Sequence, residues 1–376
     1  MRRRDFLKKR HKPPRNPASS VLSVLLVAAC IGWAHGVNVA DRPSVEIVPD
    51  ADAQRVDVLV DGELFTSYVY SDTLAVLKKP VLYPIRAADG VEITRGYPIS
   101  PRAGDRVDHP HQIGLWLNYG DVNGLDFWGN SDAVPDERRN AMGTIRNRSI
   151  ERTSGGEGIG TLVVAADWLK PDGDVILEER TRFIFRADAG LRTIDRITTL
   201  TGLDEHVAFG DTKEGMMGLR VTRALEMPMD QAVNLVGREG DVVESSNNQG
   251  VNGHYRNSEG ISGYPNVWGE RARWMMLTGR VEGEIVTVAI LDHPENVGHP
   301  TYWHARDYGL FAANPLGQAA FSDGKERLAF SLEPGAAVTF RYRIVVLSGD
   351  AAASDVEALY RDFAAANLEA PTRNDR

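Results

Sequence analysis

The sequence contains one cysteine, Cys30, among its 376 residues. A single cysteine cannot form an intramolecular disulfide, and Cys30 lies in a short apolar segment near the N-terminus. The rest of the chain therefore offers no cysteine nucleophile, no cysteine metal ligand and no disulfide framework. Its stability has to come from an apolar core, and a hydrophobic fraction of 42% is ordinary for a globular protein.

Long hydrophobic runs are also scarce. The apolar run over residues 21–36 is shorter than the roughly 20 residues that a membrane-spanning helix needs. A strongly basic stretch precedes it, and together they predict an export signal over residues 1–40. Residues 3–8, Arg-Arg-Asp-Phe-Leu-Lys, resemble the twin-arginine motif of bacterial export signals. We therefore predict a periplasmic protein with no membrane span after signal cleavage, with an uncleaved helical anchor as the alternative.

The end of this signal has two interpretations. Residues 27–30, Val-Ala-Ala-Cys, resemble a lipoprotein box, in which Cys30 would carry a lipid anchor. Residues 34–36, Ala-His-Gly, suit ordinary cleavage instead and would release a soluble protein. We slightly favour soluble release, and the lipid anchor at Cys30 stays open.

Positive charge is in deficit, with 43 Lys and Arg against 52 Asp and Glu and a formal net charge of −9. Removal of the basic residues 1–40 would leave the remaining chain still more acidic. Such a surface repels nucleic acid and anionic membranes, which argues against both classes of partner. A neutral carbohydrate is unaffected by this charge.

The pattern from residue 44 onward is typical of strands. Asp61-Gly62 and Asp89-Gly90 each separate two β-rich runs, which predicts hairpins. Ser354 and Glu357 form a capping-box pattern ahead of helically spaced apolar residues. We predict an all-β fold: a large antiparallel β-sandwich over residues 41–350, then one helix and a frayed tail in residues 351–376. The predicted strands are 56–60, 64–70, 81–85, 91–95, 161–169, 175–185, 191–200, 285–291, 328–332 and 337–347.

Residues 108–128 combine two histidines, two tryptophans, a tyrosine and several carboxylates and amides. A core strand would not carry so many groups that need hydrogen-bond partners when buried. Flat apolar rings interleaved with polar groups suit a pocket for a polar, ring-shaped ligand such as a sugar. The alternative is a turn system whose aromatic side chains only pack the core.

Four further stretches have a similar composition: residues 211–220, 253–269, 292–296 and 299–315. Three chemistries compete for the five stretches. Paired carboxylates could cleave a glycosidic bond, and histidines could act as general acid or base in mutarotation or elimination. A divalent metal is the third, because His109-Pro110-His111 places two imidazoles on one side of an extended chain. That metal signal is weak, and we predict no cofactor.

The candidate residues follow from these stretches. The predicted catalytic residues are His111, Asp211, Glu214 and His293. The predicted substrate-binding residues are His109, Trp116, Asn123, Asp126, Lys213, Arg220, Trp303, His304, Arg306, Tyr308 and Asn314. For each side chain the alternative is structural: a histidine bonded to a backbone carbonyl, a surface ion pair of Lys213 with Glu214, a pair of Arg306 with Asp307, or a tryptophan buried in the core.

Several of these motifs, in the same order, resemble the bacterial PmoA-like family, a domain of unknown function. They are residues 109–111, 120–128, 211–215 with Arg220, 292–294, and 303–309 with 313–315. Many members carry a second histidine directly after the one that corresponds to His111, followed by arginine. Gln112 and Ile113 occupy those positions here. The resemblance implies carbohydrate processing in the periplasm without implying a reaction.

Taken together, the sequence indicates an exported carbohydrate-active enzyme, and hydrolysis of a glycosidic bond is the principal interpretation. Elimination from an oxidised (3-keto) sugar is a close variant, because a histidine suits removal of a proton next to a carbonyl. A non-catalytic sugar-binding module is the second class of function, and a structural envelope protein is the third. Convergence of the five stretches in one cleft would favour the enzyme.

Overall fold

A computed structural model describes residues 42–371. In it the chain forms two stacked antiparallel sheets, as the alternation of apolar and polar side chains along the strands favours. One sheet has nine strands and the other has eight. Their facing sides share one apolar core. The prediction of an all-β fold with a large antiparallel β-sandwich and a C-terminal helix is confirmed.

Within residues 42–371 the elements are as follows. The strands are β1 (Ser44–Asp50), β2 (Arg55–Val60), β3 (Glu63–Val69), β4 (Val81–Ile85), β5 (Leu115–Tyr119), β6 (Thr144–Ser154), β7 (Gly156–Glu157), β8 (Ile159–Leu169), β9 (Val175–Asp188), β10 (Leu191–Gly202), β11 (Val207–Ala208), β12 (Gly215–Arg220), β13 (Val233–Val236), β14 (Val242–Ser245), β15 (His254–Asn257), β16 (Trp274–Val281), β17 (Glu284–Asp292), β18 (Tyr302–Ala305), β19 (Leu310–Asn314), β20 (Ser331–Leu332) and β21 (Ala337–Ser348). The helices are α1 (Gln318–Phe321) and α2 (Ala353–Ala365), with 3-10 helices at Asp136–Ala141 and Arg223–Leu225.

The nine-stranded sheet has the order β18-β19-β12-β5-β4-β3-β2-β1-β7, and the eight-stranded sheet has the order β15-β16-β17-β21-β10-β9-β8-β6. Aromatic side chains join the two across the core. Phe65 of β3 meets Phe185 of β9 with ring centroids 6.3 Å apart, and Tyr255 of β15 meets Phe311 of β19 at 5.4 Å. Two small pairs, β11 with β20 and β13 with β14, lie outside these sheets.

The first predicted hairpin forms as expected, because Asp61 and Gly62 both adopt positive φ and turn β2 directly into β3. The second is only partly formed. Residues 91–95 make isolated bridges instead of a strand, since Thr94 pairs with Val221 beyond the end of β12. The predicted strand at 328–332 is reduced to β20, which pairs with the two-residue strand β11.

Helix α2 packs its apolar face on the outer side of the eight-stranded sheet. Val356, Tyr360 and Phe363 are buried there in a second apolar cluster with side chains of β16, β17 and β21. The predicted capping box was wrong in its register. Asp355, not Glu357, closes the N-terminus by accepting the N–H of Ala352 at 2.9 Å. No helix within the described part of the chain is long and apolar enough to cross a membrane.

The predicted export signal, Cys30 and the last five residues lie outside the described residues. Export, cleavage and lipid attachment therefore stay predictions.

Candidate functional site

The outer side of the nine-stranded sheet, turned away from the shared core, gathers most of the predicted polar residues. Strand register shows how. Trp116 of β5 pairs with Gly218 of β12, Gly218 with Ala312 of β19, and Ala312 with His304 of β18. Their neighbours along each strand belong to the core, so this row faces outward. We call this side of β5, β12, β19 and β18, with the loops that cover it, the site face.

Two tryptophans lie on the site face. The Trp116 ring lies against Gly218, where an added Cβ would come within 2.4 Å of the indole, so the position requires glycine. Trp128 packs on Trp116 with ring centroids 5.2 Å apart. Both side chains are buried, yet neither indole N–H has a hydrogen-bond partner among the described residues. Buried N–H groups are normally paired, so these two are unsatisfied polar groups on the site face.

His304 is the most unusual residue of the site face. It is buried, and neither ring nitrogen makes a hydrogen bond of ordinary geometry within the described chain. A Glu214 carboxylate oxygen lies 3.8 Å from its Nδ1. Burial, followed by the positive charges of Lys213 and Arg306, lowers the pKa of His304 to about 3, while the Lys213 backbone acts in the opposite direction. The imidazole is therefore neutral at physiological pH.

Glu214 is held in place by backbone contacts. Its carbonyl accepts the N–H of Gly120 at 2.8 Å, and its own N–H approaches the hydroxyl of Thr212 at 3.3 Å. Asn314 supports the same turn by donating to the Thr212 carbonyl at 2.9 Å. The Lys213 ammonium contacts the Glu214 carboxylate, which is about one-third exposed. The predicted Lys213–Glu214 pair thus exists, at the edge of the site face.

The two histidines of the opening motif lie next to this group. His109 stacks on Tyr308 with ring centroids 4.8 Å apart and planes at 9°, and its own ring is 5.7 Å from that of His111. The backbone of His109 has a φ of +41°, in the left-handed region that non-glycine residues seldom adopt. Burial, and then the Lys79 charge, lower the pKa of His111 to about 2. It too is neutral at physiological pH.

Lys79 is a buried cation under this motif. Its ammonium donates to the His111 carbonyl at 2.6 Å and lies 5.3 Å from the centre of the Trp116 ring. Burial lowers the pKa of Lys79 to about 7, opposed by the negative charge of Asp126. Asp126 also interacts electrostatically with Glu214, and burial is the main cause that raises the pKa of Asp126. The electrostatics therefore link Lys79, Asp126 and Glu214.

An arginine cluster supports the loop that carries His109 and His111. It consists of Arg95, Arg106, Arg220 and Arg223 with the carboxylates of Asp108 and Glu226. Asp108 accepts from Arg95 at 2.5 Å and from Arg220 at 2.6 Å. Burial acts to raise the pKa of Asp108, but the His109 hydrogen bond and the arginines hold it well below its usual range. Burial raises the pKa of Glu226 to about 7.

Four predicted residues lie away from the site face or make structural contacts within the chain. Asp211 accepts the N–H groups of Ala319 and Ala320, both at 2.8 Å, at the start of α1. Asn123 bridges the backbone of His206 and Ala208. Trp303 belongs to the shared core, and its indole donates to the Ala272 carbonyl at 3.0 Å. His293 follows β17 and meets Phe363 of α2 edge-on at 5.0 Å.

Of the five stretches, residues 108–128, 211–220 and 299–315 therefore meet on the site face. Residues 253–269 contribute Tyr264, which lies 5.8 Å from the Arg306 guanidinium. Residues 292–296 pack against α2, so convergence is partial. Asp211 and His293 are accordingly left out of the site that we propose below.

The sequence interpretation missed Lys79, Asp108, Arg95 and Trp128 as members of this site. Trp128 and Asp108 were part of the opening motif, and their proximity to the chosen residues was the available signal. Lys79 and Arg95 carry no local motif, because each reaches the site through a long side chain from a segment distant in sequence.

A cavity of about 1090 Å³ lies at the β15 edge of the eight-stranded sheet, away from these groups. His254 and Arg256 line it, but none of the predicted catalytic or binding residues does. We place the candidate site on the site face, because the unpaired buried polar groups described above lie there. Across residues 42–371, no group of three or more histidine, cysteine, aspartate or glutamate side chains is arranged to hold a metal ion.

Comparison with curated proteins found no match. Among solved structures, the chain is similar to the GH36 alpha-galactosidase AgaB from Geobacillus stearothermophilus, with 12% identity and a TM-score of 0.36 over 81% of this chain and 41% of that one. The alpha-galactosidase from Lactobacillus brevis gives 11% and 0.34, over 81% and 39%. The Slr1438 protein from Synechocystis sp. PCC 6803 gives 12% and 0.29, over 82% and 97%. The chain thus spans about two fifths of the galactosidase chains that it matches. Residues 55–361 match DUF6807, a family of unknown function, and the chain belongs to that family.

Proposed function

We propose that this protein is a carbohydrate-active enzyme that cleaves a glycosidic bond at the site face. The observation that carries the proposal is the proximity of the Glu214 carboxylate to the buried imidazole of His304, on the same side of the sheet as Trp116. Neither ring nitrogen of buried His304 makes a hydrogen bond of ordinary geometry among the described residues, and the Glu214 carboxylate lies 3.8 Å from its Nδ1. An unpaired buried imidazole is costly for the folded state, so a ligand hydroxyl is its natural partner.

Each group has a role that suits its surroundings. Trp116 and Trp128 are buried in an apolar cluster on this face, so they would form the floor under a sugar ring. Neutral His304 can accept or donate a hydrogen bond to another hydroxyl. Bond cleavage needs one carboxyl group that is protonated and one that is ionised. Asp126, whose pKa is raised chiefly by burial, is the candidate acid, and Glu214, in contact with the Lys213 ammonium, is the candidate base.

The step is a hydrolysis. Asp126 would give its proton to the glycosidic oxygen as the bond from that oxygen to the anomeric carbon breaks. Glu214 would take a proton from the water that forms the new bond to the same carbon. The products are two sugars with free hydroxyl groups, and a proton passes from Glu214 back to Asp126 through solvent to complete the cycle.

Elimination from a 3-keto sugar is the second candidate, favoured by one observation. Lys79 is a buried cation next to His111, and burial lowers its pKa to about 7. An ammonium of this kind can stabilise the oxyanion that develops when a proton is removed beside a carbonyl. Glu214 would take the proton from the carbon between the carbonyl and the anomeric carbon. A C=C bond would form there as the bond from the anomeric carbon to the glycosidic oxygen breaks, and that oxygen would take a proton from Asp126, without attack by water.

A panel of glycosides and 3-keto-glycosides tests both candidates, with and without a chelator. We expect turnover of at least one class, lowered more than 100-fold by Glu214→Gln. Glu333→Gln is the matched control, because Glu333 is an exposed carboxylate away from the site face, and it should keep full activity. Release of product without incorporation of ¹⁸O from labelled water would identify elimination. Binding without turnover of any compound would contradict catalysis and indicate a sugar-binding module.

The exported location is a separate proposal that rests on the sequence and on the PmoA-like resemblance. Fractionation of cells that produce the full chain should place it in the periplasm. Replacement of both Arg3 and Arg4 by lysine should retain it in the cytoplasm if the signal is of the twin-arginine type. Membrane association that disappears in Cys30→Ser would identify the lipid anchor.

A further inference from the structure

One guanidinium on the site face has no partner of opposite charge. Arg306 follows β18 directly and lies between two aromatic rings, 5.4 Å from the centre of Tyr308 and 5.8 Å from that of Tyr264. The Nε of Arg306 is buried without an acceptor, and the guanidinium forms no ion pair with any carboxylate of the described chain. The predicted alternative, a pair with Asp307, does not form. The side chain as a whole is half-buried, so a ligand can reach it.

The arginines around the same tyrosine make a useful contrast. Arg106 and Arg220 also approach the Tyr308 ring, at 5.7 and 4.9 Å. Both form ion pairs with the Asp108 carboxylate, Arg106 at 2.9 Å and Arg220 at 2.6 Å. Arg306 alone of the three lacks such a carboxylate, in a chain whose net charge is −9. A positive centre left open at one point of an acidic protein favours an anionic ligand group there.

We propose that the sugar bound at the site face carries a carboxylate, as in a uronic acid, and that Arg306 recognises it. The planar guanidinium fork matches a carboxylate in a bidentate pair, and one unpaired cation matches a single negative charge. Cation–π contacts with Tyr264 and Tyr308 help to hold the guanidinium in place. His304, two residues earlier on β18, would contact a hydroxyl of the same sugar. This inference rests on the proposed carbohydrate function.

Matched sugar pairs test it by binding alone. The probes are the methyl glycosides of D-glucuronic, D-galacturonic and D-mannuronic acid, each compared with its neutral parent by isothermal titration of the full chain. At least one uronide should bind ten-fold or more tightly than its parent, with the difference shrinking as salt is raised. Methyl glucoside 6-sulfate is a further probe, and tighter binding of the sulfate than of every uronide would overturn the assignment to a carboxylate.

Variants assign the effect to Arg306. Arg306→Gln should abolish the preference, so that each uronide and its neutral parent bind within two-fold of each other. Arg306→Lys should retain only part of the preference for the uronide, because lysine keeps the positive charge but not the planar, bidentate guanidinium. The matched control is Arg361→Gln, because Arg361 is an exposed arginine of α2 on the other side of the sandwich. This variant should bind every sugar with the affinity of the unsubstituted protein.

Failure of this inference differs from failure of the proposed function. Equal binding of uronides and neutral parents, together with turnover of neutral glycosides, would overturn the inference and leave the enzyme. A uronide preference that survives in Arg306→Gln would also overturn it. A preference that depends on Arg306 in a protein that turns over nothing would support the inference and contradict catalysis.

Discussion

The two outer faces of the sandwich each contain a buried histidine, but they treat polar groups differently. Beneath α2, His293 Nδ1 accepts the N–H of Glu295 while its Nε2 has no partner among the described residues, and Arg343 makes two hydrogen bonds to Asp195. Apolar side chains of the helix cover that face. On the site face, His304 and two indole N–H groups are buried with no such partners among the described residues. Among these groups the helix-covered face leaves one imidazole nitrogen unpaired, whereas the site face leaves both nitrogens of His304 and two indole N–H groups unpaired, at a greater cost in stability.

The largest expected effect is on activity. Glu214→Gln should lower turnover more than 100-fold, which corresponds to more than about 2.7 kcal/mol of transition-state stabilisation. His293→Ala, on the helix-covered face, should lower turnover less than two-fold. Initial rates on the most active compound of the glycoside panel measure both. Comparable losses in the two variants would remove the functional distinction between the faces.

Both faces contain a buried ion pair, which provides a stability comparison. Arg220→Met would leave Asp108 with one guanidinium fewer, and Arg343→Met would leave buried Asp195 with only its contact to Arg186. Each should lose about 1.5–3 kcal/mol of unfolding free energy in urea titrations, because the carboxylate loses charged hydrogen bonds but keeps another guanidinium. Only Arg220→Met should also weaken sugar binding, because Asp108 supports the loop of His109. Unchanged sugar affinity in that variant would show that the arginine cluster is not part of the site.

Replacement of His304 should separate stability from function. His304→Leu removes an imidazole whose nitrogens are unpaired, so the free energy of unfolding should stay level or rise by about 1 kcal/mol, while activity is lost. A variant that is inactive because it is unfolded would contradict this expectation. Circular dichroism and urea titration distinguish the two outcomes.

His304→Leu should also change how the free energy of unfolding depends on pH. Burial, the main cause, lowers the pKa of His304 from its ordinary 6.5 to about 3. The unfolded chain therefore binds a proton at a higher pH than the folded one, so this residue's contribution is present above pH 6.5 and is lost as the pH falls toward 3. His304→Leu should flatten the fall of stability in that window. His293→Leu should flatten this fall of stability less. Burial also lowers the pKa of His293, but the negative charge of Glu295 opposes the shift.

The smallest effect is expected at the docked helix. Glu357 of α2 accepts from the Trp274 indole at 2.7 Å and from Arg273 at 3.0 Å. Glu357→Gln should cost about 1 kcal/mol of stability and leave turnover unchanged. Loss of activity in this variant would mean that the two faces are coupled.

The sequence predicted the fold better than the site, for physical reasons. The Asp61-Gly62 turn and the alternation of residues 191–200 are local signals, and both became the expected elements. His293 and Asp211 could not be separated from the residues of the proposed site, because their roles depend on a helix contact and on backbone donors more than 100 residues away. Lys79 and Arg95 were missed for the converse reason: only the folded sheet brings them under the loop of His109.

Hydrogen–deuterium exchange with the tightest-binding saccharide of the panel tests the central claim most directly. The site-face segments 108–119, 212–220 and 302–310 should be protected on binding, while residues 292–296 and 353–365 should exchange at unchanged rates. Protection confined to the helix-covered face, or to the cavity at the β15 edge, would contradict the placement of the site.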